Sequence, residues 1–469
     1  MDLDALILSR LQFAFTIAFH IIFPSFTIGL ASYLAVLEAL WLVTRNEAFK
    51  TLYLFWVKIF AISFGMGVVS GVVLSYQLGT NWSVFSAVAS PVIGPLFAFE
   101  VLAAFFLEAS FLGVMLFGWK KVGPGLHLTA TVLVALGTLM SAFWIISANS
   151  WMQHPTGFTQ LPDGTLRAVD WMAVIFSPTF PERFAHMVMA AYLTTALVVG
   201  AASAWRLLRL GPHEVESRIA LRMAIGMFAI VAPLQLVVGD LSGKEVERVQ
   251  PAKFAAIEAF WETRTEQPFH IAAWPDRDAE ANRFEISIPR LGSWIAAGST
   301  SAEVKGLKDF APVDRPPVAI VFWSFRVMVG LGVLMIALGV WGAFLIWRTR
   351  GPEHSPWFLR AAVAMGPAGF VAVICGWIVA EVGRQPYVIY GVLRTADAVS
   401  PVGAGQVSAS LLAFMIVYAI IFSVGVLYIL RLIAKGPEPV SETPPERGRP
   451  PGYALAAAPE SAGDQEGRP

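Results

Sequence analysis

An all-α integral membrane protein is the architecture this sequence predicts: about nine transmembrane helices, N-terminus periplasmic and C-terminus cytoplasmic. Three observations carry that expectation. Of 469 residues, 56% are hydrophobic and only 14% are charged, where a soluble domain carries roughly a quarter charged residues. This excludes a soluble globular enzyme and a disordered or nucleic-acid-binding chain, both of which need abundant surface charge. Second, there are nine apolar runs long enough for the roughly 20 residues that cross a bilayer. Third, the connections between runs alternate between rich and poor in Lys and Arg, which orients the chain by the positive-inside rule. Lys+Arg and Asp+Glu balance at 33 each, so net charge points to no polyanionic partner.

The runs follow in order. The first, 12–42, carries His20 in FTIAFHIIFPSF. It follows an acidic start, MDLDALILSR, with no small-residue cleavage site, so no cleavable signal peptide is expected. The second, 52–77, holds Lys58; the third, 95–118, holds Glu100 and Glu108 in LFAFEVLAAFFLEASF; the fourth, 127–149, opens on His127. The fifth, 183–208, has His186 near its start, and the sixth is 220–239. The seventh, 317–347, has Met328 near its start, the eighth, 357–381, ends on Glu381, and the ninth is 407–433. Period-2 alternation is absent, which argues against an outer-membrane barrel. No convincing internal repeat is present, which weakens an inverted-repeat transporter reading.

Arg45 and Lys50, Lys120 and Lys121, Arg206, Arg209, Arg218 and Arg222, and Arg348, Arg350 and Arg360 mark one side of the membrane as cytoplasmic. The connection 78–94 has no Lys or Arg, and 150–182 has only Arg167. The chain thus divides into spans one to six (1–239), a long polar outer connection (240–316), spans seven to nine (317–435) and a Pro-, Gly-, Glu- and Ala-rich tail (436–469) expected to be disordered in the cytoplasm. Within 240–316, GKEVERVQPAKFAAIEAFWETR reads as a short amphipathic helix, and connections this long are usually functional or disordered.

Ionisable residues inside spans are costly, so each is a functional candidate. His20, His186, Met328, Glu100 and Glu381 all fall in the expected outer half, with Glu108 deeper. A bland reading stands beside each: a lone histidine bonded to a neighbouring helix, a methionine filling a gap, Lys58 and His127 snorkelling from cytoplasmic span ends. Glu100 and Glu108, eight residues and roughly 80° apart around a helix, suit a proton path or a buried cation better than a structural role. His and Met are the usual axial pair of a low-spin haem, and a single His or carboxylate leaves an iron position open for a gas. The lone Cys375 excludes an internal disulfide, and there is no C-x-x-C-H for covalent haem.

Six stretches in order are similar to subunit I of cytochrome bd-type quinol oxidases: LSRLQFAFTIAFHIIFPSFTIGLA, FAFEVLAAFFLEASFLG, FAHM, GDLSGKEVERVQPAKFAAIEA, FWSFRVMVG and GWIVAEVGRQPY. The resemblance runs to about residue 433 and implies the following. Quinol is oxidised at the outer loop, the family's Q-loop, with Lys253 and Glu258 matching the residues tied to that step. His186 and Met328 are axial ligands of a low-spin haem b, with Arg326 matching an arginine at the reduced haem or its propionates. His20 and Glu381 match proximal ligands of a two-haem site holding a high-spin haem b and haem d, their assignment left open. Glu100 lies at the oxygen-binding haem. Glu108, Lys58 and His127 form a proton route from the cytoplasm, and Arg384 and Arg10 pair with propionates. Oxygen is reduced to water with cytoplasmic protons, generating a proton-motive force without a pump.

The resemblance also implies a second polytopic subunit, to which some members add a small single-span one, in the bacterial inner membrane. The short Q-loop resembles the cyanide-insensitive branch, and GRQPY stands where GRQPW is commoner. In that branch a b-type haem can replace haem d, which leaves the third haem open between the two. A haem–copper oxidase is disfavoured, since only His20, His127 and His186 lie in or at spans. A proton-coupled transporter using Glu100 and Glu108 leaves His186 and Met328 unexplained, and a haem-b electron-transfer anchor has no use for His20 and Glu381.

Overall fold

The computed structural model describes residues 4–438; the tail expected at 436–469 lies beyond residue 438 outside the described residues. Nine helical stretches among them are long and apolar enough to cross a membrane, as the hydropathy predicts. The chain begins with α1 (Ala5–Thr44), α2 (Glu47–Thr80) and α3 (Ser83–Phe99), continues through a π-helical segment (Glu100–Phe105) into α4 (Phe106–Phe117), and returns along α5 (Pro124–Gln153). A small hairpin, β1 (Phe158–Gln160) and β2 (Leu166–Ala168), and α6 (Trp171–Ile175) lead into α7 (Phe180–Leu210) and α8 (Val215–Val249). The long connection holds α9 (Pro251–Glu258), the antiparallel pair β3 (Phe269–Asp276) and β4 (Ala281–Ile288), and α10 (Leu291–Ala297). The chain finishes with α11 (Val318–Arg348), α12 (Pro356–Ala364), α13 (Ala368–Val382), the hairpin β5 (Tyr387–Ile389) and β6 (Leu393–Arg394), and α14 (Ala404–Lys435).

The long helices run up and down. All three hairpins therefore fall at the same end of the bundle, the loop face, and the Arg- and Lys-rich turns fall at the opposite face. Side chains start several elements. The Asp4 carboxylate accepts from Ile7 N at 2.7 Å to open α1, and Asn46 accepts from Ala48 N at 3.0 Å to open α2, each satisfying an otherwise orphaned first-turn donor. At 40 residues, α1 is about 60 Å long, well beyond the roughly 30 Å hydrocarbon core.

Leu30, Leu34 and Leu37 of α1 pack with Tyr53, Trp56 and Phe60 of α2 and Val134 of α5 in one buried core. Small residues bring helix backbones together, the usual membrane packing device. A Cβ on Gly29 of α1 would lie 2.7 Å from the Ala191 carbonyl oxygen of α7. A separate core docks the loop: Phe254, Ile257, Phe260 and Trp261 close over Val304, Leu307, Val321, Phe322 and Val379. This holds α9 against α11 and α13.

Four elements differ from the sequence expectation. The sixth span continues to Val249, ten residues past the expected boundary at 239. The amphipathic segment expected as one helix is split at Gln250–Pro251, where Gln250 sits at φ −139°, ψ 61°. Proline supplies no N–H and disfavours helical backbone in the residue before it. The eighth span is broken between Ala364 and Ala368, around Pro367. The third span carries a π segment over Glu100–Phe105, which no hydropathy pattern encodes.

Candidate functional site

Three of the sequence-predicted ligands face a glycine on a neighbouring helix. His20 of α1 packs on Gly71 of α2, where an added Cβ would lie 3.2 Å from Cε1. His186 of α7 packs on Gly239 of α8, again 3.2 Å from Cε1, and Met328 of α11 on Gly376 of α13, 3.1 Å from Sδ. A helix flank without a side chain lets each of these groups lie directly against the neighbouring backbone, which fixes the place of the ligating side chain. The His20 tautomer follows from its neighbour. Ser70 Oγ donates its one hydrogen to the Gly67 carbonyl at 2.9 Å, so it accepts from His20 Nδ1, also at 2.9 Å. That leaves Nε2 with its lone pair, as an iron ligand requires. His186 Nδ1 is buried without a well-formed hydrogen bond, and its polar neighbour is the Gln235 main chain. These features fit haem ligation.

Glu381, at the end of α13, lies in a dense polar junction. Its Oε1 accepts from Asn149 Nδ2 at 3.0 Å and Gln153 Nε2 at 3.1 Å, and its Oε2 pairs with Arg384. Arg183 binds Asn149 Oδ1 and, at 3.3 Å, Ser150 Oγ. The buried Arg384 keeps Nε and Nη1 without partners, and Arg326 keeps Nη1. Buried, unspent guanidinium donors are costly, and they suit a carboxylate-bearing group such as a haem propionate. Arg10 is exposed on α1.

Lys253 and Glu258 on α9 are both buried, at 5% and 3% exposure, so α9 is not a solvated face. Five residues apart on a helix, they point to different partners. Lys253 Nζ donates to Gln153 Oε1 and to the Ala380 carbonyl, each at 2.9 Å. Glu258 Oε2 accepts from Arg326 Nη2 at 2.7 Å, while His270 Nδ1 donates to the Glu258 carbonyl at 2.9 Å. Arg326 Nε donates to the His270 carbonyl at 2.7 Å. Its guanidinium lies 4.5–5.3 Å from the ring centres of Phe269, Phe322 and Phe325.

Burial pushes the Lys253 amine well below the usual lysine range; Arg183 and Arg384 act the same way, and Glu381 opposes them. A neutral amine has two N–H donors, matching the two bonds it makes. The unfolded chain therefore binds more protons than the folded one between the folded pKa and about 10.4. Stability contributed at this site rises with pH across that window. The thermal midpoint of the wild type minus that of Lys253→Met should grow more positive from neutral pH toward pH 10 in detergent. A pH-independent difference would contradict a Lys253 whose proton affinity burial lowers.

Glu100 and Glu108 both face α5. Ser141 Oγ donates to Glu100 Oε1 at 2.7 Å, and a Cβ on Gly137 would lie 2.5 Å from Glu108 Cγ. The wider turns of the π segment bring eight residues nearer to two full turns than a regular α-helix does, so the two carboxylates address positions one turn apart on α5. His127 is buried against Glu38, with Nδ1 and Oε1 at 2.7 Å. Thr131 Oγ1 donates to Glu38 Oε2 at 2.6 Å and lies 3.2 Å from Tyr53 OH. His127 is therefore not snorkelling. Lys58 is exposed on the flank of α2.

Sequence reasoning missed Glu38, Arg183, Asn149, Gln153 and His270. Glu38 carried a usable signal, an acidic residue inside the first apolar run. The amides carried none, because their role depends on which helix ends meet.

The family model for cytochrome bd terminal oxidase subunit I matches residues 8–437. The chain is 37% identical to the cytochrome bd ubiquinol oxidase subunit 1 of Bacillus subtilis (strain 168), covering 93% of this chain and 95% of that protein. It is 34% identical to the cytochrome bd-II ubiquinol oxidase subunit 1 of Escherichia coli (strain K12), covering 94% and 99%. The solved bd oxidase from Geobacillus thermodenitrificans superposes with a TM-score of 0.87 at 30% identity, covering 92% of this chain and 99% of that one.

Proposed function

The chain belongs to the cytochrome bd terminal oxidase subunit I family, and from that membership we propose how its residues divide the work of a quinol:oxygen oxidoreductase. It is a haem-binding, multi-pass subunit of the bacterial inner membrane and works with a subunit II. The observation that carries the residue-level reading is the glycine opposite each of His20, His186 and Met328.

When bound, haem would supply one-electron transfer and oxygen reduction. His186 and Met328 hold a low-spin haem b. His20 and Glu381 would hold the pair at the oxygen site, a high-spin haem b with either haem d or a further haem b, and Glu100 would serve the oxygen site. Arg384 and Arg326 offer their unspent N–H donors to propionates. Exposed Arg10 joins them only where a bound group or subunit II covers it.

Residues 240–316, of which 240–249 extend α8, carry the quinol loop on the periplasmic side. The Lys253 amine, its proton affinity lowered by burial, and the Glu258 carboxylate orient the quinol hydroxyls and take their protons. Arg326 links this loop to α11, two residues before Met328. Protons for oxygen come from the cytoplasmic face past His127, Glu108 and Glu100. Lys58 joins that route where subunit II covers the flank of α2. Each proton drawn outward from the cytoplasmic face this way against about 100 mV stores roughly 2.3 kcal/mol, so no pump is needed.

The test is a dithionite-reduced minus oxidised visible spectrum of the purified two-subunit complex, with haem extraction. A red-shifted chlorin band beside b-type bands establishes haem d. Only b-type bands, with quinol-dependent oxygen uptake, place a haem b there. No haem in an assembled, folded complex would refute the reading.

A further inference from the structure

We propose that Gln153 is a positioning residue that ties the quinol loop to the Glu381 carboxylate, so that occupancy of the loop and the surroundings of Glu381 are coupled. The proposal rests on the reading above. Gln153 ends α5 and is 2% exposed. Its Nε2 donates to Glu381 Oε1 and to the Ala380 carbonyl, each at 3.1 Å. Its Oε1 accepts from Lys253 Nζ at 2.9 Å and from Gln250 Nε2 at 3.3 Å. Its main-chain carbonyl, one of those a helix end leaves orphaned, accepts from Gln250 Nε2 at 2.5 Å. Both amide hydrogens and both lone pairs of the side chain are thus in use.

The chemistry selects an amide. One side presents donors, the Lys253 amine and the Gln250 amide; the other presents acceptors, the Glu381 carboxylate and a carbonyl. Only a group that accepts and donates from one end of a side chain bridges them. A glutamate would set carboxylate against carboxylate, and a leucine would leave four buried polar groups short of a partner. Asn149, one turn earlier on α5, donates to the same Glu381 oxygen at 3.0 Å, so α5 fixes that carboxylate from two positions. Only Gln153 also holds α9. A shift of α9 when quinol binds is therefore transmitted to Glu381, and coupling of this kind acts in both directions.

The experiment compares wild type, Gln153→Leu, Gln153→Asn and Asn282→Ala in the haem-loaded complex. Asn282 anchors the loop from within, through Trp261 Nε1 at 2.9 Å and the Ala259 carbonyl at 3.0 Å. The readouts are KM and kcat for a short-chain quinol, the reduced-minus-oxidised spectrum, and the rate of proteolytic cleavage within 259–316. Both Gln153 variants should raise KM about tenfold, accelerate cleavage and displace the bands of the oxygen-site haems. Asn282→Ala should raise KM and accelerate cleavage with the bands unmoved. Should Gln153→Leu not assemble, Gln153→Asn, an amide one methylene too short to reach both sides, gives the same comparison. Bands at wild-type positions in the assembled Gln153 variants would overturn the coupling and leave Gln153 a loop anchor like Asn282. A wild-type complex without haem would refute the functional reading instead, and the cleavage rates would then decide whether Gln153 ties down the loop.

Discussion

His186→Ala is expected to abolish the low-spin b-type signal and to reduce quinol-driven oxygen uptake by on the order of a hundredfold or more. Disturbing even the groups that orient a metal ligand costs about 10–100-fold, and here the ligand itself is removed. The bands of the oxygen-site haems should remain, because His20 and Glu381 sit on α1 and α13 rather than on α7. Gly239→Val makes the same point without touching the imidazole. A Cβ already falls 3.2 Å from His186 Cε1, tighter than ordinary contact, and two further methyl groups leave the ring no room to keep its place. Difference spectroscopy and an oxygen electrode on the purified complex check both variants. A normal low-spin spectrum in His186→Ala would remove His186 from its assigned place.

How much of this was legible in the sequence differs from element to element. Nine spans were, because a bilayer imposes a length and an apolarity that composition alone satisfies. His20, His186, Glu100, Glu108 and Glu381 stood out because charge or polarity inside an apolar run needs a reason. Their partners were not legible. That His127 meets Glu38, 89 residues away, depends on how α1 packs against α5. The same holds for Gln153, whose four side-chain bonds reach Gln250, α9 and α13. The break at Pro251 was written in the sequence, yet the helical periodicity on either side of it read as one amphipathic helix. The π segment that turns Glu108 toward Gly137 has no periodic signature at all. Lys253 and Glu258 show the limit most clearly: the family resemblance made them a pair, while the structure gives each a separate buried partner.

That separation sets the last expected result. Glu258 lies 2.7 Å from Arg326, and their side chains are 3% and 9% exposed. Glu258→Ala would strand a buried guanidinium, at a cost of about 3–5 kcal/mol, and would confuse loss of function with loss of structure. Glu258→Gln keeps an oxygen acceptor for Arg326 Nη2 and removes only the basic carboxylate. This variant should assemble with its full haem content and a spectrum like the wild type, and reduce quinol oxidation by about 10²–10⁴-fold, the usual range for a general acid–base group. The loss should fall on kcat more than on KM, because the amide still orients a quinol hydroxyl but no longer takes its proton. Steady-state turnover with a short-chain quinol, read beside the haem spectrum of the same preparation, separates the cases. Unchanged turnover with normal haem would leave proton abstraction to Lys253 alone. A lost haem spectrum in the glutamine variant would make Glu258 a structural partner of Arg326, its charge needed to hold α11 and Met328 in register.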